Sequence, residues 1–298
     1  MSRVALLALV IVLLGGGFVV LRPALEDTPA CDPPTAQWAS VPGGTFDMGG
    51  TLYAEEGPVR PVTVAPFEIR SHEVTNAEFA AFVAATGYVT RAEQGADPAL
   101  HPDLPALWLK PGGLVFSPPD HVSNLTDLSQ WWRFAEGASW RAPGGPGTSV
   151  EGKDHLPATQ IALEDARAYA AWAGGRLPSE AEWEWAARGA DPDAPSTDTA
   201  PPSNANTWQG VFPIVNLDTD GFIGIAPVGC FKANRLGLSD MIGNLWEWTE
   251  SAYDAGRGVI KGGSYLCAPN YCARYRPEAR QGQEVDLPTN HIGFRIVR

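Results

Sequence analysis

Apolar residues recur along this chain with different periods, and the changes of period divide it. The start has no period. Met1-Ser2-Arg3 brings one positive side chain, and Val4–Leu21 is an apolar run of 18 residues ended by Arg22 and Pro23. That run is long for a signal-peptide core and just long enough to span a bilayer. Residues 1–22 read as a signal peptide or signal anchor, residues 23–37 as a polar linker, and residues 38–298 as the folded body. Further on, Val41–Gly50 reads as a strand broken by glycine turns, and Val62–Ile69 alternates around Pro66 as a strand pair. Thr75-Asn76-Ala77-Glu78 is a capping box, with Val74 placed as a staple. Phe79, Phe82 and Val83 then share a helical face up to Gly87. Leu163–Ala173 carries a second stripe (Leu163, Ala166, Ala170, Ala173) stopped by Gly174-Gly175. Ser179-Glu180-Ala181-Glu182 opens a third helix, with Trp183 and Trp185, that ends at Gly189. These helices are expected to be scaffold. Between them, Gly95–Asp154 has no period. A loop of that length is functional or disordered, and its interleaved Trp131, Trp132 and Trp140 favour order.

Composition narrows the class. The chain has 298 residues, 44% of them hydrophobic, with 11 tryptophans, which suffices for a sizeable core. Gly 32 and Pro 27 favour many loops and short strands. A formal net charge of -13 argues against nucleic-acid binding, which wants a basic face. The five histidines never fall at zinc-protease spacing, and no nucleophile elbow is present. Either fate of the apolar run exports the body to a periplasmic or other extracytoplasmic space, with a single membrane anchor if the run is retained. Cys31 stands ten residues past the run, with Thr28 where a lipoprotein signal would carry leucine, so no lipid is expected on it. Disulfides are permitted outside the cytoplasm, and Cys31 and Cys230 are the pair left over once Cys267 and Cys272 are set aside.

The candidate chemistry sits in Lys261–Arg276. Cys267 and Cys272 are separated by four residues. Ser264 and Tyr271 add hydroxyls, and Arg274 and Arg276 add charge that favours thiolate. Two thiolates without histidine or carboxylate suit Cu(I) better than Mg or Ca, and zinc would want four ligands. A local disulfide fits the same spacing equally well. Two acidic stretches are weaker signals. Asp218-Thr219-Asp220-Gly221-Phe222 is half a calcium loop without its glutamate, and Asp240 and Glu247 flank a glycine turn. A solvated acidic turn explains each as well.

Several motifs stand in order along the chain. They are Val41-Pro42-Gly43-Gly44-Thr45-Phe46-Asp47-Met48-Gly49, Glu73-Val74-Thr75-Asn76, Trp131-Trp132-Arg133-Phe134 and Ala173 through Glu184. Gly243-Asn244-Leu245-Trp246-Glu247-Trp248, Gly262-Gly263-Ser264-Tyr265 and Gly293-Phe294-Arg295 complete the set. From about Trp38 to Arg298 the chain resembles the formylglycine-generating enzyme, or sulfatase-modifying factor, family. The Cys-x-x-x-x-Cys in its Gly-Gly-Ser-Tyr-Leu-Cys context is the specific part. The resemblance implies an α+β fold: one mixed, C-type-lectin-like domain with little regular secondary structure. It implies oxidation of a sulfatase cysteine, in a Cys-x-Pro-x-Arg motif of an unfolded chain, to Cα-formylglycine with O2. It places Cu(I) between Cys267 and Cys272, with Cys272 staying on the metal and Cys267 more mobile. Trp246, Ser264 and Tyr271 then surround the oxygen and the substrate cysteine. It also implies Ca2+ at Asn206, Asp220 and the carbonyls of Thr207 and Phe222, and again at Asp240, Glu247 and the carbonyls of Gly243 and Leu245. Asp240 stands where asparagine is often found, and Ala268 where some members carry histidine. A non-catalytic binding or accessory protein of the cell envelope on the same fold is the alternative. A monomer is the default state.

Overall fold

Two of the three longer helices start at side-chain caps that the sequence supplies. In the computed structural model, which describes residues 13–14, 17–18, 31, 33–99, 101–194 and 202–298, α1 spans Asn76–Thr86. Thr75 Oγ1 accepts from the Glu78 amide while the Glu78 carboxylate accepts from the Thr75 amide at 3.0 Å. Gly87 closes the helix at φ 68°, a left-handed conformation that glycine adopts without strain. A four-residue α2, Arg91–Gln94, follows; the periodicity does not separate it. Helix α3 is Leu163–Trp172. Its capping residue Ala162 has no polar side chain, and Asp165 Oδ2 takes the Ala162 amide instead. Helix α4 is Glu180–Ala187, boxed by Ser179 and Glu182.

The strands are short and mostly paired in twos. β1 (Leu13–Leu14) and β2 (Gly17–Phe18) form an antiparallel pair in a unit of residues 1–30, distinct from the unit of residues 31–298. The rest of the expected signal or anchor lies outside the described residues. Among those described, no helix is long and apolar enough to cross a membrane. In the body, β3 (Trp38–Val41) pairs with β6 (Phe67–Arg70), and β4 (Gly44–Met48) with β5 (Arg60–Val64), all antiparallel. Strands β5 and β6 therefore flank Pro66 as expected, but pair with other strands rather than with each other. The stretch without periodicity is ordered and contains the hairpin β7 (Gly112–Phe116) and β8 (Trp132–Glu136). A small ladder joins β9 (Gly210–Val211) to β10 (Val215–Asn216). Among the described residues the one larger sheet has the order β13-β12-β11-β14, from Gln281–Glu284, Arg257–Lys261, Trp246–Asp254 and Ile292–Gly293. Its β11–β14 pairing is parallel and the others antiparallel. Asp240–Thr249, read as a turn, thus runs into the longest strand.

Two apolar clusters form most of the core among the described residues. One joins α1, α3 and β11 through Phe79, Tyr169, Trp248 and Phe294; the other packs Trp183 and Trp185 of α4 against Phe46, Ile69 and Val297. The C-terminal residues close the body: Val297 and Arg176 exchange backbone bonds at 2.8 Å, and Arg298 exchanges them with Glu68. Cys31 and Cys230 are joined by a disulfide across 199 residues. Between the two clusters lies a sealed ion pair. Arg295 and Glu247, both fully buried, meet at 2.6 Å, and Trp183 Nε1 donates to the same carboxylate at 2.7 Å. Removing one partner of a buried pair leaves an uncompensated charge, at a cost on the order of 3–5 kcal/mol. Arg295→Met is therefore expected to lower stability by about that amount in chemical denaturation. The double variant Arg295→Met/Glu247→Gln should recover part of the loss. Wild-type stability in the single variant would show that the pair does not hold the fold.

Candidate active site

Strand β12 ends at Lys261, and the chain must turn at once. A Cβ at Gly262 would lie 2.9 Å from the Trp183 ring, and one at Gly263 2.8 Å from Tyr275 Cα; both glycines have positive φ. Two tight turns follow. The Cys267 amide donates to Ser264 O at 2.9 Å, and the Cys272 amide to Ala268 O at 2.7 Å. These turns bring the sulfurs to 3.2 Å, and both thiols are free and buried. Of the two readings of this spacing, a disulfide and a thiol pair, the structure has the thiol pair.

The thiols are electrostatically unequal. A hydrogen bond from Cys267 pulls the Cys272 thiol down to about 7 against the cost of burial, and Arg274 assists. Burial pushes Cys267 well above the ordinary range, and its hydrogen bond to Cys272 adds to that. The first proton thus leaves Cys272 while Cys267 keeps its own. Arg274 is anchored on the far side by Glu55 at 2.5 Å and lies 4.1 Å over the Tyr53 ring. Arg276, expected to act beside it, does not. Its guanidinium is buried between Glu56 and Glu278, which neutralise it.

Cys267, Cys272, Trp246, Ser264 and Tyr271 line one cavity of about 520 Å³. Tyr271 stacks on Phe212 at 4.6 Å and meets Trp131 edge-on at 5.7 Å. Burial pushes the Tyr271 phenol up, so its hydroxyl is a neutral donor. Trp246 is held by its amide, which donates to His291 O at 3.0 Å across the parallel β11–β14 pairing. Phe212, Trp132 and Leu128 supply apolar wall. Among the polar wall residues that escaped the sequence reading are His101, paired with Asp286 at 2.5 Å, and Thr289 with His291 at 2.6 Å. The signal for His291 was its place directly before the Ile292-Gly293-Phe294-Arg295 run.

The first expected cation set is brought together in part, around Asp220. Asn206 is buried; its Nδ2 donates to Gly224 O and Asn244 Oδ1, and its Oδ1 has no partner. Asp220 accepts from the Thr207 amide at 3.1 Å and from the Phe222 amide at 3.0 Å. Burial nevertheless pushes its carboxyl up. The second set converges less well. Asp240 accepts from the Gly229 amide at 2.6 Å, and burial raises its pKa to about 6. Both oxygens of Glu247 are already taken, by Arg295 and Trp183. Among the described residues no group of three or more His, Cys, Asp or Glu side chains is arranged to hold a metal. A two-thiol site, and sites completed by amides and carbonyls, fall outside that pattern.

Residues 25–298 match the family model described as the sulfatase-modifying factor enzyme 1-like domain. The formylglycine-generating enzyme of Mycobacterium tuberculosis is 46% identical over 286 residues, covering 86% of this chain and 96% of that protein. A Bos taurus relative named inactive C-alpha-formylglycine-generating enzyme 2 is 37% identical over 272 residues, 88% of this chain and 87% of its own length. Among solved structures, PvdO from Pseudomonas aeruginosa aligns over 90% of this chain and 99% of its own, with a TM-score of 0.60 and 23% identity, a likeness of fold alone. The chain belongs to the formylglycine-generating enzyme, or sulfatase-modifying factor, family.

Proposed function

We propose that this protein oxidises a cysteine of an unfolded sulfatase chain, in a Cys-x-Pro-x-Arg context, to Cα-formylglycine, using O2 and Cu(I) held by Cys267 and Cys272. The observation that carries the reading is the pair of reduced sulfurs 3.2 Å apart on the wall of a cavity. Family membership does not carry it, since a relative of similar coverage is named inactive. A non-catalytic role on the same fold would have no use for a free, unequal thiol pair in a cavity.

The donor set fits copper. Two soft sulfurs are available, one of which ionises near neutral pH, and no hard ligand competes. When bound, Cu(I) would supply electron transfer to O2 and a soft anchor for a third thiolate. The chain's own residues do the rest. Cys272 gives up its proton first, and Cys267 donates its own to Cys272 Sγ until the metal replaces it. Trp246, Phe212 and Trp132 keep bulk water from the sulfurs. Ser264 and Tyr271 offer neutral hydroxyl donors that add no charge to compete with the thiolates. The overall reaction balances with a thiol reductant: the substrate CH2–SH, O2 and two thiols give CHO, H2S, one disulfide and one water.

Export to a periplasmic or other extracytoplasmic space is supported by the Cys31–Cys230 disulfide, which persists in an oxidising compartment. Ca2+ is proposed at Asn206, Thr207, Asp220 and Phe222, where the orphaned Asn206 Oδ1 fits a hard cation. The Asp240, Gly243, Leu245 and Glu247 set fits poorly in this arrangement, because the Glu247 carboxylate is committed to Arg295.

Three outcomes test the reading. Copper-loaded protein with O2, a thiol reductant and a Cys-x-Pro-x-Arg peptide is expected to give an aldehyde, trapped by a hydrazide and weighed by mass spectrometry. Cys272→Ser should give none, and near-normal turnover in that variant would remove copper from the account. In metal-free protein, labelling of Cys272 by iodoacetamide should rise with pH through about 7. Arg274→Gln should move that midpoint upward, because the lost charge favoured thiolate; an unmoved midpoint would free Arg274 of this role. Adding Ca2+ should raise Tm through mass action on the native state, and Asp220→Ala should abolish that rise. A Tm indifferent to chelator would exclude a calcium site.

A further inference from the structure

Thr289 and His291 share a wall of the cavity with the thiols, and their contact fixes a proton. The Thr289 hydroxyl has two polar neighbours: His291 Nδ1 at 2.6 Å and the His291 amide at 3.4 Å. The amide can only donate. Thr289 is buried, and no other acceptor is in reach of its Oγ1 among the described residues. Its hydroxyl proton therefore goes to Nδ1. An imidazole that accepts at Nδ1 and stays neutral must carry its own proton on Nε2. Neutrality follows from burial, which pushes the ring down to about 3. Trp132 packs 4.7 Å from the ring, and the backbone of His291 is locked to Trp246. The Nε2–H has no protein acceptor among the described residues, and it is not among the sealed, unpartnered atoms.

We propose that His291, held in its Nε2–H tautomer by Thr289, is a substrate-binding residue that donates a hydrogen bond to a backbone carbonyl next to the target cysteine. The inference rests on the reading of this cavity as the site for a cysteine peptide. An extended chain entering the cavity loses water from its carbonyls, and each needs a new donor. A neutral donor suits a neutral carbonyl. The substrate thiolate carries a full charge, and the metal would serve it.

The test is equilibrium binding of two peptides to copper-free, reduced protein: one with Cys-x-Pro-x-Arg, the other with alanine for the cysteine. His291→Leu is expected to weaken both by about threefold to tenfold, the worth of one net hydrogen bond. His291→Asn, which keeps an N–H, should recover most of the affinity. Thr289→Val should weaken binding in the same direction, and Thr289→Ser, which keeps the hydroxyl, should not. In turnover by copper-loaded enzyme, His291→Leu should raise KM more than it lowers kcat. Wild-type affinity in His291→Leu, or equal binding by Thr289→Val and Thr289→Ser, would overturn the inference. A loss confined to the cysteine peptide would move the donor to the sulfur and overturn the carbonyl assignment. If His291→Leu does not fold, the contrast between the two Thr289 variants decides. Failure of wild-type protein to bind either peptide would overturn the substrate reading and this inference together.

Discussion

The sealed pair of Arg295 and Glu247 is the constraint on which the rest of the body depends. Neither side chain reaches water, and a charge buried that deeply is tolerated only when its partner is in place. Arg295 comes from the C-terminal segment and Glu247 from β11, while Trp183 of α4 and the Ser239 carbonyl satisfy further atoms of the pair. One interaction therefore fixes three segments that are distant in sequence. It also fixes the site, because Trp246 precedes Glu247 on β11 and His291 lies four residues before Arg295. The parallel pairing of Trp246 with Ile292 is the backbone expression of the same lock.

A fold with so little regular structure satisfies its backbone by other means. Asn244 is the clearest case. It is fully buried at φ 54°, its amide donates to Asn206 O, and its carbonyl accepts from the Tyr265 amide. Its side chain accepts from Asn206 and Ala226 and donates to Glu73. Through this one residue the loop of the first cation set, the acidic cluster around Glu73 and the turn that opens the thiol loop are hydrogen-bonded to each other. Asparagine suits the post: it tolerates left-handed φ better than most residues and carries both a donor and an acceptor.

The helices were legible because their signals are local. Thr75 with Glu78, and Ser179 with Glu182, act within one turn, and Gly87 and Gly189 stop what they start. The thiol pair was legible in place but not in state, because the same Cys-x-x-x-x-Cys spacing allows a disulfide. The turns around Ser264 and Ala268 bring the sulfurs to 3.2 Å as unbonded thiols. What could not be read were interactions whose partners lie far apart in the chain. The large sheet joins β11 and β12 to β13 and β14 across irregular stretches, and β6 takes its partner, β3, from the far side of Pro66. Arg276 looked equivalent to Arg274 until Glu56 arrived from 220 residues away. His291 gave no spacing signal, since its partner Thr289 matters only once both face the cavity.

The charge pattern around the second cation set explains why that set is the less suited of the two. Glu73, Asp240 and Glu247 are all buried, and Arg295 is the cation that all three feel. Glu247 is the one carboxylate of the three to which Arg295 donates hydrogen bonds, so the remaining charge falls on Glu73 and Asp240. Both are pushed upward, first by desolvation and then by like charge. Proton uptake can relieve that repulsion without any metal. At the first set the situation differs. Asp220 is the one carboxylate there, and the orphaned Asn206 Oδ1 is an amide oxygen, which cannot take up a proton near neutral pH to satisfy itself. A buried lone pair of that kind is met by water or by a cation, and the latter is the Ca2+ proposed for this set.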